Sequence, residues 1–109
     1  MKIFYSIYKI TNKVNGKIYI GRHKTCNLDD GYMGSGKIIK LALQSYGIEN
    51  FTKEILSLHE TRDAMIAEEK RLVNSEFLKR TDVYNLAHGG TGDWHHIHIK
   101  TALQLGDHP

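Results

Sequence analysis

The side chains whose types and spacing could do chemistry are Tyr8, Tyr19, Arg22, His23 and Glu69. Phenols and an imidazole can pass or orient a proton, a guanidinium can grip an anion, and a carboxylate can hold a divalent cation. The phenols come first because the local sequence puts them together. Residues 5–11 and 17–22 are rich in Tyr and Ile, both favoured in strands, and they flank the turn-rich Asn12-Lys13-Val14-Asn15-Gly16. Asn-Gly tolerates the positive φ of a tight turn, so an antiparallel hairpin is expected. If opposed residue numbers sum to an odd value, Tyr8 and Tyr19 project to one face. A two-residue Asn15-Gly16 turn gives such a sum, as do longer loops on the same centre, which bring the rings closest. Two phenols on one face also suit plain packing.

Glu69 stands out by position. A helix capped by Thr61, with Asp63 in its first turn, is expected to run to about Leu78. At ~100° per residue, Met65, Ile66, Leu72, Val73 and Phe77 form one apolar stripe, and Glu69 falls roughly 10° from its middle. Glu68 lies on the flank, and Glu76 sits near the helix end, where water is easier to reach. A carboxylate centred on a buried stripe is costly unless a cation, a metal or hydrogen-bond donors meet it. A structural ion pair with Arg22 or Lys53 would serve, and so would a metal.

The remaining elements must position these groups. Residues 23–36 read as a loop punctuated by Gly31, Gly34 and Gly36. Ser35 is the expected N-cap of a helix over 37–46, with Ile38, Ile39, Ala42 and Tyr46 near one face and Gly47 ending it. Free backbone N–H groups at that helix start, beside Lys37 and Lys40, offer a place for a phosphate; a plain glycine-rich cap is the other reading. Phe51 to Leu58 is expected as a third, short, partly buried strand. Residues 79–82 form a turn, 83–86 an extended piece and 87–94 a glycine-rich loop ending in Trp94. His95, His96 and His98 then open a tail, 95–109, that lacks any recognisable zinc spacing and reads as a polar or DNA-contacting segment.

With 109 residues there is room for one domain with a modest core, and 40% apolar with 25% charged residues is ordinary for a soluble protein. No apolar run is long enough for a membrane span, and no signal peptide is visible, so no membrane partner is expected. The lone Cys26 fits a reducing cytoplasm. The net charge of +3 is unevenly spread: residues 1–40 carry +6 and the remainder −3. A basic N-terminal third attracts and steers a polyanion.

Taken in order, these pieces resemble the GIY-YIG nuclease family, over Tyr5 to about Trp94. Ser6-Ile7-Tyr8 matches the first signature triplet with Ser in place of the usual Gly, and Tyr19-Ile20-Gly21 matches the second intact. The stretch Asp30-Gly31-Tyr32-Met33-Gly34-Ser35-Gly36-Lys37 looks like the loop of short, free-standing phage-type members. Glu69 followed by Leu72-Val73, and a later Tyr84-Asn85, complete the pattern.

The resemblance implies an α/β (α+β) fold, with a small three-stranded antiparallel sheet flanked by helices. The nuclease domain would be 1–94, hydrolysing DNA phosphodiesters with one divalent cation. Glu69 would hold Mg²⁺, with Mn²⁺ as a substitute. Tyr8 would deprotonate or orient the attacking water, and Tyr19 would position water or phosphate. In much of the family the catalytic arginine sits several residues beyond the second triplet, but no Arg occurs here between Arg22 and Arg62. Arg22 therefore takes the phosphate-clamping role, with His23 assisting, Asn85 supporting the site from behind, and Lys24, Ser35, Lys37 and Lys40 meeting DNA. A homodimer on DNA would let one site per chain cut both strands. A phage-encoded protein would act in the cytoplasm of a bacterial host. Two other readings are a catalytically inactive DNA-binding domain of the same fold and a histidine-based metal-binding protein.

Overall fold

In the computed structural model, which describes residues 1–86, the hairpin forms as the turn chemistry requires. Strand β1 (Phe4–Asn12) and strand β2 (Ile18–Thr25) are antiparallel, with Tyr8 opposite Gly21 and Ile10 opposite Tyr19. The connecting loop is the longer kind. Gly16, at φ +77°, donates its N–H to the Asn12 carbonyl at 2.8 Å, and Asn12 N–H reaches the Lys17 carbonyl at 2.9 Å. The side chains of Asn12 and Asn15 each accept from a backbone N–H two residues on, which locks the bend.

Strand β3 (Phe51–His59) pairs antiparallel with the other edge of β1, giving the order β2-β1-β3. A bulge displaces the register between Ile7 and Tyr8. As the central strand, β1 is covered on both faces, and Ile7, Tyr8 and Ile10 are at most 1% exposed.

Side-chain alternation splits the core in two. On one face, Tyr8, Ile10 and Phe51 pack with Ile38, Ile39 and Ala42 of helix α1 (Lys37–Tyr46) and with Tyr84. On the other, Ile7 and Ile20 pack with Met65 of helix α2 (Arg62–Leu72), with Val73 and Val83, and with Phe77 of helix α3 (Ser75–Leu78). The expected three-stranded sheet flanked by helices is thus borne out.

Two local expectations need correction. The N-cap of α1 is Gly36, in extended conformation and without a side-chain cap bond, while Ser35 is exposed just before it. A Cβ at Gly36 would lie 3.2 Å from the Tyr19 hydroxyl, so the boundary falls where the backbone must pass close to that ring. The second helix does not run unbroken to Leu78: it ends at Leu72, Val73 leaves helical geometry at φ −98° and ψ 71°, and α3 follows. Asn74 causes the restart by accepting from Phe77 N–H, a local bond that competes with helix continuation. The Thr61 cap is found as expected, accepting from Ala64 N–H at 3.1 Å. The tail histidines and the boundary at residue 94 lie outside the described residues.

Candidate active site

Tyr8 and Tyr19 share a face of the hairpin, with ring centroids 6.2 Å apart and planes tilted by 41°. Glycines make the room for them. A Cβ on Gly21 would land on the Tyr8 hydroxyl, and one on Gly34 would meet Tyr19 at 3.2 Å and the Tyr8 hydroxyl at 3.4 Å. Gly36 and the Tyr8 ring border the Tyr19 ring. Burial, then the neighbouring Tyr19 and Tyr32, push the Tyr8 phenol far above its ordinary value near 10. Burial also pushes Tyr19 up to about 12. At neutral pH both are therefore hydroxyl donors rather than bases.

Tyr32, Asp30 and Lys53 complete this face beside the expected His23; sequence reasoning gave them no role in the chemistry, naming Lys53 only as an alternative ion-pair partner of Glu69. Tyr32 meets Tyr8 in a T-shaped contact, with a centroid distance of 5.9 Å and planes at 90°. His23 stacks on the other side of Tyr32 at 3.7 Å, nearly parallel. Asp30 receives His23 Nε2 at 2.7 Å. Lys53, from β3, donates to the Tyr32 carbonyl at 2.6 Å and sits 5.1 Å from the Tyr8 ring centroid. The signals were present: Asp two residues before Tyr32 is the spacing of an Asx turn, and Lys53 shares a strand face with the buried Phe51.

Arg22 and Glu69 meet on the opposite face. Along β2, Tyr19, Gly21 and His23 point one way, while Ile20 and Arg22 point toward α2. There Arg22 Nη1 lies 3.3 Å from Glu69 Oε1, with the two side chains 20% and 14% exposed. Of the two cations the helix position left open, Arg22 is the one at salt-bridge distance. Glu69 is nonetheless close enough for its negative charge to raise the pKa of both Tyr8 and Tyr19. The predicted residues thus converge on β2 from its two sides.

Asn85 acts on the same strand. Its side-chain oxygen accepts from Ile20 N–H at 3.0 Å, and its nitrogen donates to the Ile20 carbonyl at 2.6 Å. With Ile18 bonded to Asp82 and Tyr84, this closes the outer edge of β2 between the second tyrosine and Arg22. Lys24, Ser35, Lys37 and Lys40 are exposed. They lie on β2, the glycine loop and α1, with Ser35 between Gly34 and Gly36, which border the tyrosines.

No trio of His, Cys, Asp or Glu gathers among the described residues to chelate a metal. A cation bound at Glu69 would meet fewer than three such ligands among the described residues and draw the rest from water and phosphate. That incomplete oxygen shell is the habit of Mg²⁺ and unlike the closed nitrogen and sulfur sites of zinc. No described helix is long and apolar enough to cross a membrane.

No protein-family model and no solved structure matches this chain. It is similar to several curated proteins of Enterobacteria phage T4. It is 60% identical over 101 residues to "Putative endonuclease segB", covering 93% of this chain and 46% of that protein. To "Putative endonuclease segD" it is 52% identical over 99 residues, 91% of this chain and 44% of the relative. "Endonuclease segA" is 42% identical over 85 residues, 78% of this chain and 38% of the relative. The chain spans less than half the length of these relatives.

Proposed function

We propose that this chain is a metal-dependent DNA endonuclease of the GIY-YIG type. The observation that carries the proposal is the placement along β2 of two interacting phenols on one side and a largely buried, Arg22-paired carboxylate on the other. Similarity to phage T4 proteins named as endonucleases supports the reaction class.

In this reading Glu69 holds a Mg²⁺ or Mn²⁺ ion, which when bound would neutralise charge growing on the phosphate and make an attacking water more acidic. Tyr8, protonated and confined between Gly21, Gly34 and Tyr32, orients that water, because its raised pKa makes it a poor base while no cation is near. Tyr19, packed against the backbone at Gly34 and Gly36, positions the water or the phosphate. Arg22 exchanges Glu69 for a phosphate oxygen and stabilises charge on the phosphoryl group. Asn85 holds the strand that carries Tyr19 and Arg22. His23 assists proton movement on the tyrosine face. Lys24, Ser35, Lys37 and Lys40 contact flanking phosphates, and a homodimer on DNA would supply the second cut.

One observation favours another reading. The Arg22–Glu69 pair leaves the carboxylate partnered by an internal cation, as a non-catalytic DNA-binding domain would tolerate. A plasmid assay with Mg²⁺, Mn²⁺ or EDTA decides between them. Cleavage that depends on the ion and is abolished by Tyr8→Phe supports the nuclease; DNA binding without cleavage under every ion supports the binding domain.

A further inference from the structure

The tyrosine face contains a buttress of its own. The Asp30 carboxylate takes three hydrogen bonds: His23 Nε2 at 2.7 Å, Thr25 Oγ1 at 2.8 Å and Tyr32 N–H at 3.0 Å. Its pKa is drawn well below the usual carboxylate range by the His23 bond first, then by Thr25 and Tyr32. An ionised carboxylate can only accept, so the His23 nitrogen facing it must carry the proton. His23 is then stacked on Tyr32 within 2° of parallel, and Tyr32 meets Tyr8 in a T-shaped contact with centroids 5.9 Å apart. Lys53 holds Tyr32 from its carbonyl side. An unbroken chain of contacts therefore runs from Asp30 through His23 and Tyr32 to the buried phenol of Tyr8.

We propose that Asp30 is a positioning residue: its carboxylate fixes the tautomer and orientation of the His23 imidazole and, through the stacked ring, the placement of Tyr32 against Tyr8. The structural half rests on this geometry alone; the consequence for cleavage rests on the nuclease reading above. Thr25 and the Tyr32 backbone hold the carboxylate from two sides, so Asp30 is itself fixed before it orients the imidazole. Aspartate suits the position because a shorter or neutral side chain could not accept all three donors.

Asp30→Asn separates this role from simple loop packing. Asparagine keeps one oxygen for Tyr32 N–H but turns the group facing His23 from acceptor to donor. In the full chain labelled with ¹⁵N-histidine, at about pH 8.5 where an ordinary imidazole is neutral, wild-type His23 should be the Nε2–H tautomer. The substitution should move it toward Nδ1–H, with the resonances assigned by their loss in His23→Gln. An unchanged tautomer in Asp30→Asn overturns the proposal whatever the protein does to DNA.

The second readout is a double-mutant cycle on plasmid cleavage. If Asp30 acts through His23, Asp30→Asn should lower kcat about tenfold with KM little changed, and His23→Gln/Asp30→Asn should be no slower than His23→Gln alone. Independent, multiplying losses, or full activity of Asp30→Asn, overturn it. If wild type cuts no DNA under any ion, the nuclease reading fails and the tautomer measurement alone decides the role of Asp30.

Discussion

Gly21→Ala asks more of this structure than any other single methyl group. The added Cβ would fall on the Tyr8 hydroxyl, 2.7 Å from Tyr8 Cζ and 3.0 Å from Tyr19 Cε2. Carbon atoms pack comfortably at about 3.5–4.0 Å, so the tip of the Tyr8 ring must retreat by roughly 1 Å. It has little room to do so. Tyr8 is 1% exposed, and Tyr32 and Gly34 close the other sides. The ring must leave its rotamer or the β1–β2 pair must spread, and overpacking of this kind costs about 1–3 kcal/mol. For a domain of this size that lowers Tm by about 5–20 °C. Gly16→Ala is the control: its Cβ meets nothing within 4 Å, and only the backbone at φ +77° resists, at about 1–2 kcal/mol. Urea denaturation followed by near-ultraviolet circular dichroism reads both the stability and the tyrosine environment. Gly21→Ala should lose stability and alter the tyrosine signal, whereas Gly16→Ala should lose stability with that signal intact. A Gly21→Ala protein within about 0.5 kcal/mol of wild type and with an unchanged spectrum would refute the packing of Tyr8 against β2.

Other expectations follow from individual contacts. Glu69→Gln should reduce ion-dependent plasmid cleavage ~10²-fold or more while DNA retention in a gel-shift assay survives; full activity would dismiss the metal assignment. Asn85→Ala removes both side-chain bonds to Ile20 and should cost about 1–3 kcal/mol in urea denaturation, with cleavage falling beyond what the unfolded fraction explains. Arg22→Met should weaken cleavage yet strengthen Mn²⁺ binding measured by calorimetry, because Glu69 loses a competing cation; Arg22→Lys should restore little. Tyr19 sets an alkaline limit. Its pKa is about 12 when folded and near 10 when unfolded, so between those values the unfolded chain holds fewer protons and stability falls as pH rises. Denaturation midpoints should be insensitive to this group below about pH 9 and decline above pH 10; Tyr19→Phe should lessen that decline, the rest coming from the still more strongly raised Tyr8.

The shared tyrosine face was legible because strand alternation and an odd register sum fix it whatever the loop length. The Thr61 cap and the special position of Glu69 were legible because helical spacing and capping chemistry are local. Legibility ended where a local bond competes with a longer pattern. Asn74 restarts the helix under an apolar stripe that reads as continuous, and although α1 spans the expected 37–46, its N-cap is Gly36, close against Tyr19, rather than Ser35. It ended again where partners are distant in the chain. Asn85 and Ile20 are 65 residues apart, and neither composition nor periodicity pairs them. Asp30 and Tyr32 stood in a stretch whose resemblance was evident, but only the folded loop brings His23 onto Tyr32.

The split of the site across β2 bears on why a triplet ending in glycine suits this strand. Tyr19 and Gly21 present one face, while Ile20 and Arg22 present the other. A side chain at position 21 would displace Tyr8 from the strand, so its absence is what lets the two rings sit together. Ile20 meanwhile anchors β2 to the α2 and α3 core, and its backbone is gripped by Asn85. The strand is therefore held at Ile20, emptied at Gly21 and charged at Arg22. The strand thus carries the phenols on one side and the Arg22–Glu69 pair on the other, near enough for the Glu69 charge to raise the pKa of both phenols through space. On this argument the arginine need not come from the following helix: a guanidinium one residue past Gly21 already faces the helix that supplies the carboxylate.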